Sequence, residues 1–264
     1  MRRLAAFLLA LNLAHLAHAQ PVSPPTAAAA KPAVKQPASP KGMSASRSAT
    51  PSPSGPCIGV IPLIGDRFAV KKIGITVFGN EYKEIPIDNW GLDDLVVERV
   101  RAAVGPGIVV RRIAHAKGTF DSYNPGFGLF HNNDGKSAAM VQQVAGQMQC
   151  GRYVVVTRAA SLVTGNQGIN GVGVVNVGGP LLNKSFVHAL VHVNIHDGRS
   201  FAVLKREAGS ISGNDSRIGP STRKLDDFMW PDSPEAANTP AMRGTTRALL
   251  TEVLDKRLPA LLAP

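Results

Sequence analysis

The sequence predicts a single α/β domain built on a mixed sheet, with a βαβαβ core, an antiparallel hairpin at one edge and a C-terminal helix packed on the sheet. Three observations carry this. Two segments of helical periodicity alternate with short β-branched runs between residues 58 and 156, Asp197-Gly198 separates two alternating segments, and a final helical stripe begins at Pro240. Strand–helix alternation calls for parallel strands, because each helix returns the chain to the edge where the previous strand began. The domain occupies residues 57–264, long enough to bury a core of its own.

Residues 58–64 and 68–78 read as strands around the turn Gly65-Asp66, the second with Ile73, Ile75 and Val77 on one face. Asp88 and Asn89 are N-cap candidates for a helix over 91–104. Its Leu92, Leu95, Val96 and Val100 share a face, and Gly105-Pro106-Gly107 stops it. Ile108–Val110 opens a short strand. After a long loop comes a helix over 136–149, striped by Met140, Val141, Val144, Ala145 and Met148 and closed at Gly151. Tyr153–Val156 has the unbroken apolar character of a buried parallel strand. Residues 185–196 and 199–206 read as antiparallel strands joined by a type I′ turn at Asp197-Gly198. Thr239 and Pro240 open a helix over 240–258, with Met242, Leu249, Leu250, Val253, Leu254 and Leu258 inward.

Ahead of the domain, Arg2-Arg3, an apolar run from Leu4 to Leu13 and Ala17-His18-Ala19 form a secretory signal over residues 1–19. That run is too short to span a bilayer, no later stretch is long enough, and no cysteine follows the cleavage site to take a lipid. Residues 20–56 hold nine prolines among Ala, Ser, Lys and Thr, so they read as a disordered linker: a spacer, or a basic tether on an acidic cell-wall mesh. The address is therefore across the inner membrane, periplasmic or extracellular. In that oxidising setting Cys57 and Cys150 are expected to be bridged, the alternative being two buried thiols.

The chain carries 29 Lys and Arg against 18 Asp and Glu. Six of the basic residues (Arg2, Arg3, Lys31, Lys35, Lys41 and Arg47) precede the domain, which keeps 23. Those are scattered in pairs such as Lys71-Lys72 and Arg111-Arg112, without the basic stripe of a nucleic-acid binder, so no specific nucleic-acid partner is expected.

The element order, from the strand ending at Phe78 through Ile108–Arg112, Tyr153–Thr157, Val187–Gly198 and the Thr246–Leu258 helix, resembles three kinds of envelope domain. These are the domains of the curli-secretion lipoprotein, of the penicillin-binding-protein activator lipoprotein and of the N-terminal part of the Tol translocation protein. The resemblance spans most of 68–258 and includes a Pro-rich tether like that of the activator lipoprotein. It implies an accessory binding or assembly role, with an envelope protein or cell-wall component as partner. This chain departs from the lipoproteins in lacking the lipidation cysteine.

No enzyme motif survives inspection. Gly171–Asn176 has asparagine at the third glycine of a dinucleotide fingerprint and no helix after it, and Gly209–Gly213 puts Ile211 where a nucleophile elbow needs serine. His188, His192 and His196 fall on a strand, where residues four apart lie about 13 Å from one another, too far to share a metal. They read instead as the solvated face of that strand. No cofactor and no metal are expected.

Ligands of open parallel sheets bind beyond the strand carboxyl ends, which here feed the loops 79–90, 114–134 and 158–184. The middle loop is long and rich in rings, so Tyr123, Phe127, Phe130 and His131 are candidate ligand or partner contacts; the alternative is that they cover the sheet edge as satellite core. Phe228 and Trp230, flanked by acidic residues and proline, read as a docking motif or as a latch returning the chain to the core. The main reading is an exported, non-enzymatic envelope binding or accessory protein. The second is a secreted hydrolase using His115, Asp121, His131 and Asp134 as acid–base or metal groups, which requires them to converge in a cleft. A polyanion binder driven by net charge is the third.

Overall fold

The computed structural model describes residues 57–74, 79–116, 119–120, 134–145, 148–164, 167–178, 184–208, 221–226 and 229–263. The signal, the linker, Asp121, Tyr123, Phe127, Phe130, His131 and Phe228 lie outside them. In chain order the described strands are β1 (Cys57–Leu63), β2 (Arg67–Ile73), β3 (Glu81–Pro86), β4 (Val109–Arg112), β5 (Arg152–Arg158), β6 (Ala160–Thr164), β7 (Gln167–Asn170), β8 (Val172–Val177), β9 (Lys184–Ala189), β10 (Val191–Asp197), β11 (Val203–Ala208) and β12 (Thr222–Lys224). The helices are α1 (Leu92–Val104), α2 (Asp134–Ala145) and α3 (Pro240–Leu262).

The βαβαβ core is β1-α1-β4-α2-β5. β1 lies between β4 and β5, parallel to both, and the hairpin β10–β11 continues the sheet antiparallel from the β5 edge. Period-two alternation divides the residues of this sheet between two cores. Ile58, Val60, Val154, Val156, Val193 and Ile195 face the main core with α1 and α3, while Ile61, Tyr153 and Val155 face Val141 and Ala145 of α2. Helices therefore cover both faces, which is why Tyr153–Val156 is apolar throughout.

A second five-stranded sheet, ordered β12-β9-β8-β2-β3, was not anticipated, nor was the β6–β7 ribbon. Much of the expected 79–90 and 158–184 loops is strand in this structure. The turn at Gly65-Asp66 is not a hairpin, because β1 and β2 part into different sheets there. The expected strand over 185–196 likewise breaks at Leu190, fully buried, whose N–H donates to Gly171 O at 2.8 Å and whose carbonyl accepts from Ala159 N at 2.9 Å. β9 stays in the second sheet and β10 crosses to the first.

Several boundaries move for identifiable reasons. Asp88 and Asn89 do not cap α1. They sit in a 3-10 turn that buries Trp90 against Phe68 with ring centroids 4.9 Å apart, and Gly91, at φ 62°, takes the N-cap. The Trp90 indole N–H donates to Asn238 Oδ1 at 2.7 Å, so the turn is held from the far end of the chain. The described part of α2 ends at Ala145, with 146–147 outside the described residues; beyond them Cys150 is bonded to Cys57, with Cα atoms 4.8 Å apart, and Gly151 N–H donates to Cys57 O at 3.0 Å. The β10–β11 connection is longer than a type I′ turn. Asp197 Oδ1 accepts from the N–H groups of Arg199 and Ser200, and Gly198 is needed because a Cβ there would lie 2.0 Å from Cys150 O. α3 begins as expected: Thr239 Oγ1 accepts from Met242 N at 3.1 Å with Pro240 at the first position, and the helix runs on to Leu262.

The histidine strand is not solvated. His188 and His196 are fully buried and His192 is half-buried. Because the strand breaks at Leu190, each histidine has its own surroundings. His188 faces Gly173 in the second sheet, and His196 lies against α2.

Candidate binding cleft

The strand order β4-β1-β5 makes β1 the point at which the connections diverge, α1 on one face and α2 on the other. Crevices at such points, outside the strand carboxyl ends, are where open α/β sheets bind ligands. A cleft of about 690 Å³ lies there, and its described lining comes from the ends of β1, β4 and β5, the start of β2, Glu84 of β3 and the first turn of α1.

Its charged groups are tied to one another and to the backbone. Asp93 Oδ1 accepts from the N–H groups of Ile64 and Gly65, each at 3.1 Å, which fixes the exit of β1 onto α1. Its other oxygen lies 3.8 Å from Arg112, which also pairs with Asp94. Burial raises the Asp93 carboxyl pKa, opposed by the Gly65 N–H and by Arg112. Across the cleft Arg158 donates to Ile64 O at 2.8 Å and Arg67 O at 3.1 Å, and its guanidinium lies 3.5 Å from Glu84 and 3.9 Å from Asp66. Glu84 accepts in turn from Tyr82 Oη at 2.8 Å and from Arg67 at 3.3 Å. Gly171, at φ 61°, leaves room for the Arg158 stem, whose Cδ would lie 2.9 Å from a Cβ there.

On the α2 side, His115 meets Phe120 edge-on at 5.3 Å, both rings half-buried. Thr157, at the end of β5, is 4% exposed, and its Oγ1 has no hydrogen-bond partner. It sits opposite His192 in register, where burial, aided by Arg206 and Arg257, lowers the imidazole pKa.

Of the sequence candidates, His115 lines the cleft and Asp134 opens α2. Asp121, Tyr123, Phe127, Phe130 and His131 lie outside the described residues, so the convergence a hydrolase requires is not among the geometry on which a site can be built. Phe228 is also outside them, while Met229 and Trp230 are partly buried against the main core. Sequence reasoning missed Asp93, Arg112, Thr157 and Arg158. The rule that ligands bind beyond strand carboxyl ends pointed to the last three, since they end β4 and β5.

One pair has the spacing of a nucleophile and its base. Ser137 Oγ lies 3.2 Å from His196 Nε2, while the His196 Nδ1–H donates to Phe201 O at 2.8 Å. Both side chains are buried, at 4% and 0% exposed, so the pair joins α2 to the hairpin and does not face the cleft. Among the described residues no group of three His, Cys, Asp or Glu side chains is placed to hold a metal, and no helix is long and apolar enough to cross a membrane.

No family model and no curated protein matches the chain. Among the solved structures that are similar at low identity are three from bacteria. A Xanthomonas campestris protein of family DUF330 is 12% identical over 81% of this chain and 90% of its own, with a TM-score of 0.35. A neuraminyllactose-binding hemagglutinin homologue from Helicobacter pylori is 10% identical over 79% and 83%, with a TM-score of 0.35. A lipoprotein from Neisseria meningitidis is 14% identical over 76% and 96%, with a TM-score of 0.29. At such scores none carries an argument about the role of this chain, and the reading below rests on its own residues.

Proposed function

We propose that the chain is an exported, non-enzymatic binding protein of the bacterial envelope, carried across the inner membrane by residues 1–19 and held on the 20–56 linker, which grips a cell-wall component in the carboxyl-end cleft. The observation that carries this reading is the state of the charged groups in the cleft. Asp93, Arg112 and Arg158 are committed to neighbouring carboxylates, guanidiniums and backbone groups, so they shape a recognition surface in place of a poised nucleophile and base. The Cys57–Cys150 bond supports export, because such bonds persist in oxidising compartments.

The test is co-sedimentation of the purified full-length chain with isolated cell-wall sacculi, beside a His115→Trp variant that fills the cleft. Wild type pelleting while the variant stays in the supernatant is the expected result. Equal pelleting of both would sink the cleft as the binding site, and release of soluble wall fragments by the wild type would replace binding with hydrolysis.

A further inference from the structure

Resting on the cleft as the binding site, we propose that its ligand is an uncharged glycan, anchored by a hydroxyl group that reaches the unpartnered side chain of Thr157. Thr157 is the one described lining residue with a buried polar side-chain atom that nothing satisfies. Buried polar groups are nearly always paired, and an exception in the lining of a cleft is a place where a bound group completes the pairing. A threonine hydroxyl both donates and accepts, so a partner hydroxyl on a sugar serves it in either sense.

The charges decide between ligand classes. Five carboxylates line the cleft against the guanidiniums of Arg67, Arg112 and Arg158, so the excess is negative although the chain as a whole is strongly basic. A polyanion drawn by net charge is repelled at this point. A basic peptide finds three of the five carboxylates, Asp94, Asp93 and Glu84, already paired with guanidiniums. A sugar needs neither. Its hydroxyls use the remaining lone pairs and N–H groups of the paired carboxylates and guanidiniums, which are planar and fixed in direction. Its apolar ring face has the half-buried edge of Phe120, steadied by His115, to lie against.

The experiment titrates the isotope-labelled full-length chain with neutral tetrasaccharides of N-acetylglucosamine, glucose in α-1,4 and glucose in β-1,4 linkage, and with trilysine and a polyglutamate peptide, following backbone amides by NMR. The inference expects one of the neutral sugars to bind saturably at the amides of residues 63–66, 91–94 and 157–158, with little dependence on salt. Thr157→Val, which keeps the shape and removes the hydroxyl, should weaken that binding about tenfold, or ~1.4 kcal/mol. Thr157→Ser should retain the affinity, and an unchanged spectrum away from the cleft shows that each variant folds. Tighter binding of trilysine or polyglutamate at the same amides overturns the glycan and leaves the cleft standing. Sugar binding that Thr157→Val does not weaken overturns the anchor. Silence of the cleft amides towards every probe overturns the glycan and counts against the cleft reading as well.

Discussion

Gly173 of β8 and His188 of β9 lie directly opposite each other, and the histidine is accommodated because the glycine has no side chain: a Cβ at Gly173 would lie 2.7 Å from His188 Nε2 and 2.3 Å from Ala69 O of β2. The imidazole is fully buried, and its Nδ1–H donates to Gly171 O at 3.0 Å. The two glycines that gave this stretch the look of a nucleotide-binding loop thus serve packing. Gly171 supplies a positive φ between β7 and β8, and Gly173 supplies space.

Gly173→Ala should therefore be disproportionately costly for one methyl group. The methyl meets backbone on one side and a ring held by its own hydrogen bond on the other, so strands must separate to admit it. A loss of about 3 kcal/mol is expected, at the upper end for overpacking, read as a lower urea midpoint with the slope unchanged. A stability equal to wild type would show that the β2–β8 spacing is softer than the geometry implies.

His188 also makes the fold sensitive to acid. Burial lowers its pKa to about 4, opposed by the bond to Gly171, against an unperturbed value of about 6.5. Between those values the unfolded chain binds a proton that the folded chain refuses. The contribution is fully present above pH 6.5 and is lost as pH falls towards 4. Over the whole window it approaches ~3 kcal/mol. The half-buried His192, whose pKa is also lowered, works in the same direction. Urea midpoints of wild type should fall between pH 7.5 and pH 4.5, and His188→Gln should flatten much of that slope. An equal slope in the variant would place the acid sensitivity elsewhere.

What was legible in the sequence was local and apolar. Val96 and Val100, Tyr153–Val156 and the Thr239-Pro240 helix start lie where their periodicity and capping chemistry place them, and the order of the βαβαβ core follows. What was not legible depended on partners far away in sequence. Nothing near residue 190 signals a crossing between sheets, because Leu190 is apolar like its neighbours and the break is made by Gly171 and Ala159. The same limit hid the cleft: Asp93 looked like any acidic residue in a first helical turn until the chain brought Ile64 and Gly65 to it. Period-two alternation assigned the histidines of 188–196 to a polar face, and that face proved to be covered by α2 and by neighbouring strands.

The Cys57–Cys150 bond closes a loop of 93 residues that contains all of α1 and α2, so its loss releases more chain than any other single change here. In the chain-entropy description the bridge contributes ~4–5 kcal/mol. The double variant Cys57→Ala, Cys150→Ala should melt well below wild type, and a reducing agent should lower wild type to the same point. Its effect should concentrate where Gly151 N–H meets Cys57 O and Gly198 N–H meets Gly151 O. Hydrogen exchange at residues 148–151 and 198 should quicken first, and uniform quickening across both sheets would instead show that the domain lacks a local opening there.

Arg158 ties the cleft to the fold, since it holds the carbonyls of Ile64 and Arg67 on either side of the turn where the chain changes sheets. Lysine cannot replace it. An ammonium presents three donors from one point, whereas these two carbonyls and the carboxylates of Glu84 and Asp66 are shared among the three nitrogens of one planar group, Nε on Ile64, Nη1 on Glu84 and Nη2 on Arg67 and Asp66. Arg158→Lys should leave the core intact, cost about 1–2 kcal/mol and loosen residues 64–67. Arg158→Met should cost more, because Glu84 and Asp66 lose their shared cation while the side chain still fills the space over Gly171. Amide exchange at Gly65 and Asp66 should rise in both variants, and affinity at the cleft should fall with it although neither substitution touches Thr157. If exchange at the turn stayed at the wild-type rate in Arg158→Met, the Asp93 carboxylate alone would be sufficient to hold Ile64 and Gly65, and the arginine would belong to the binding surface and not to its support.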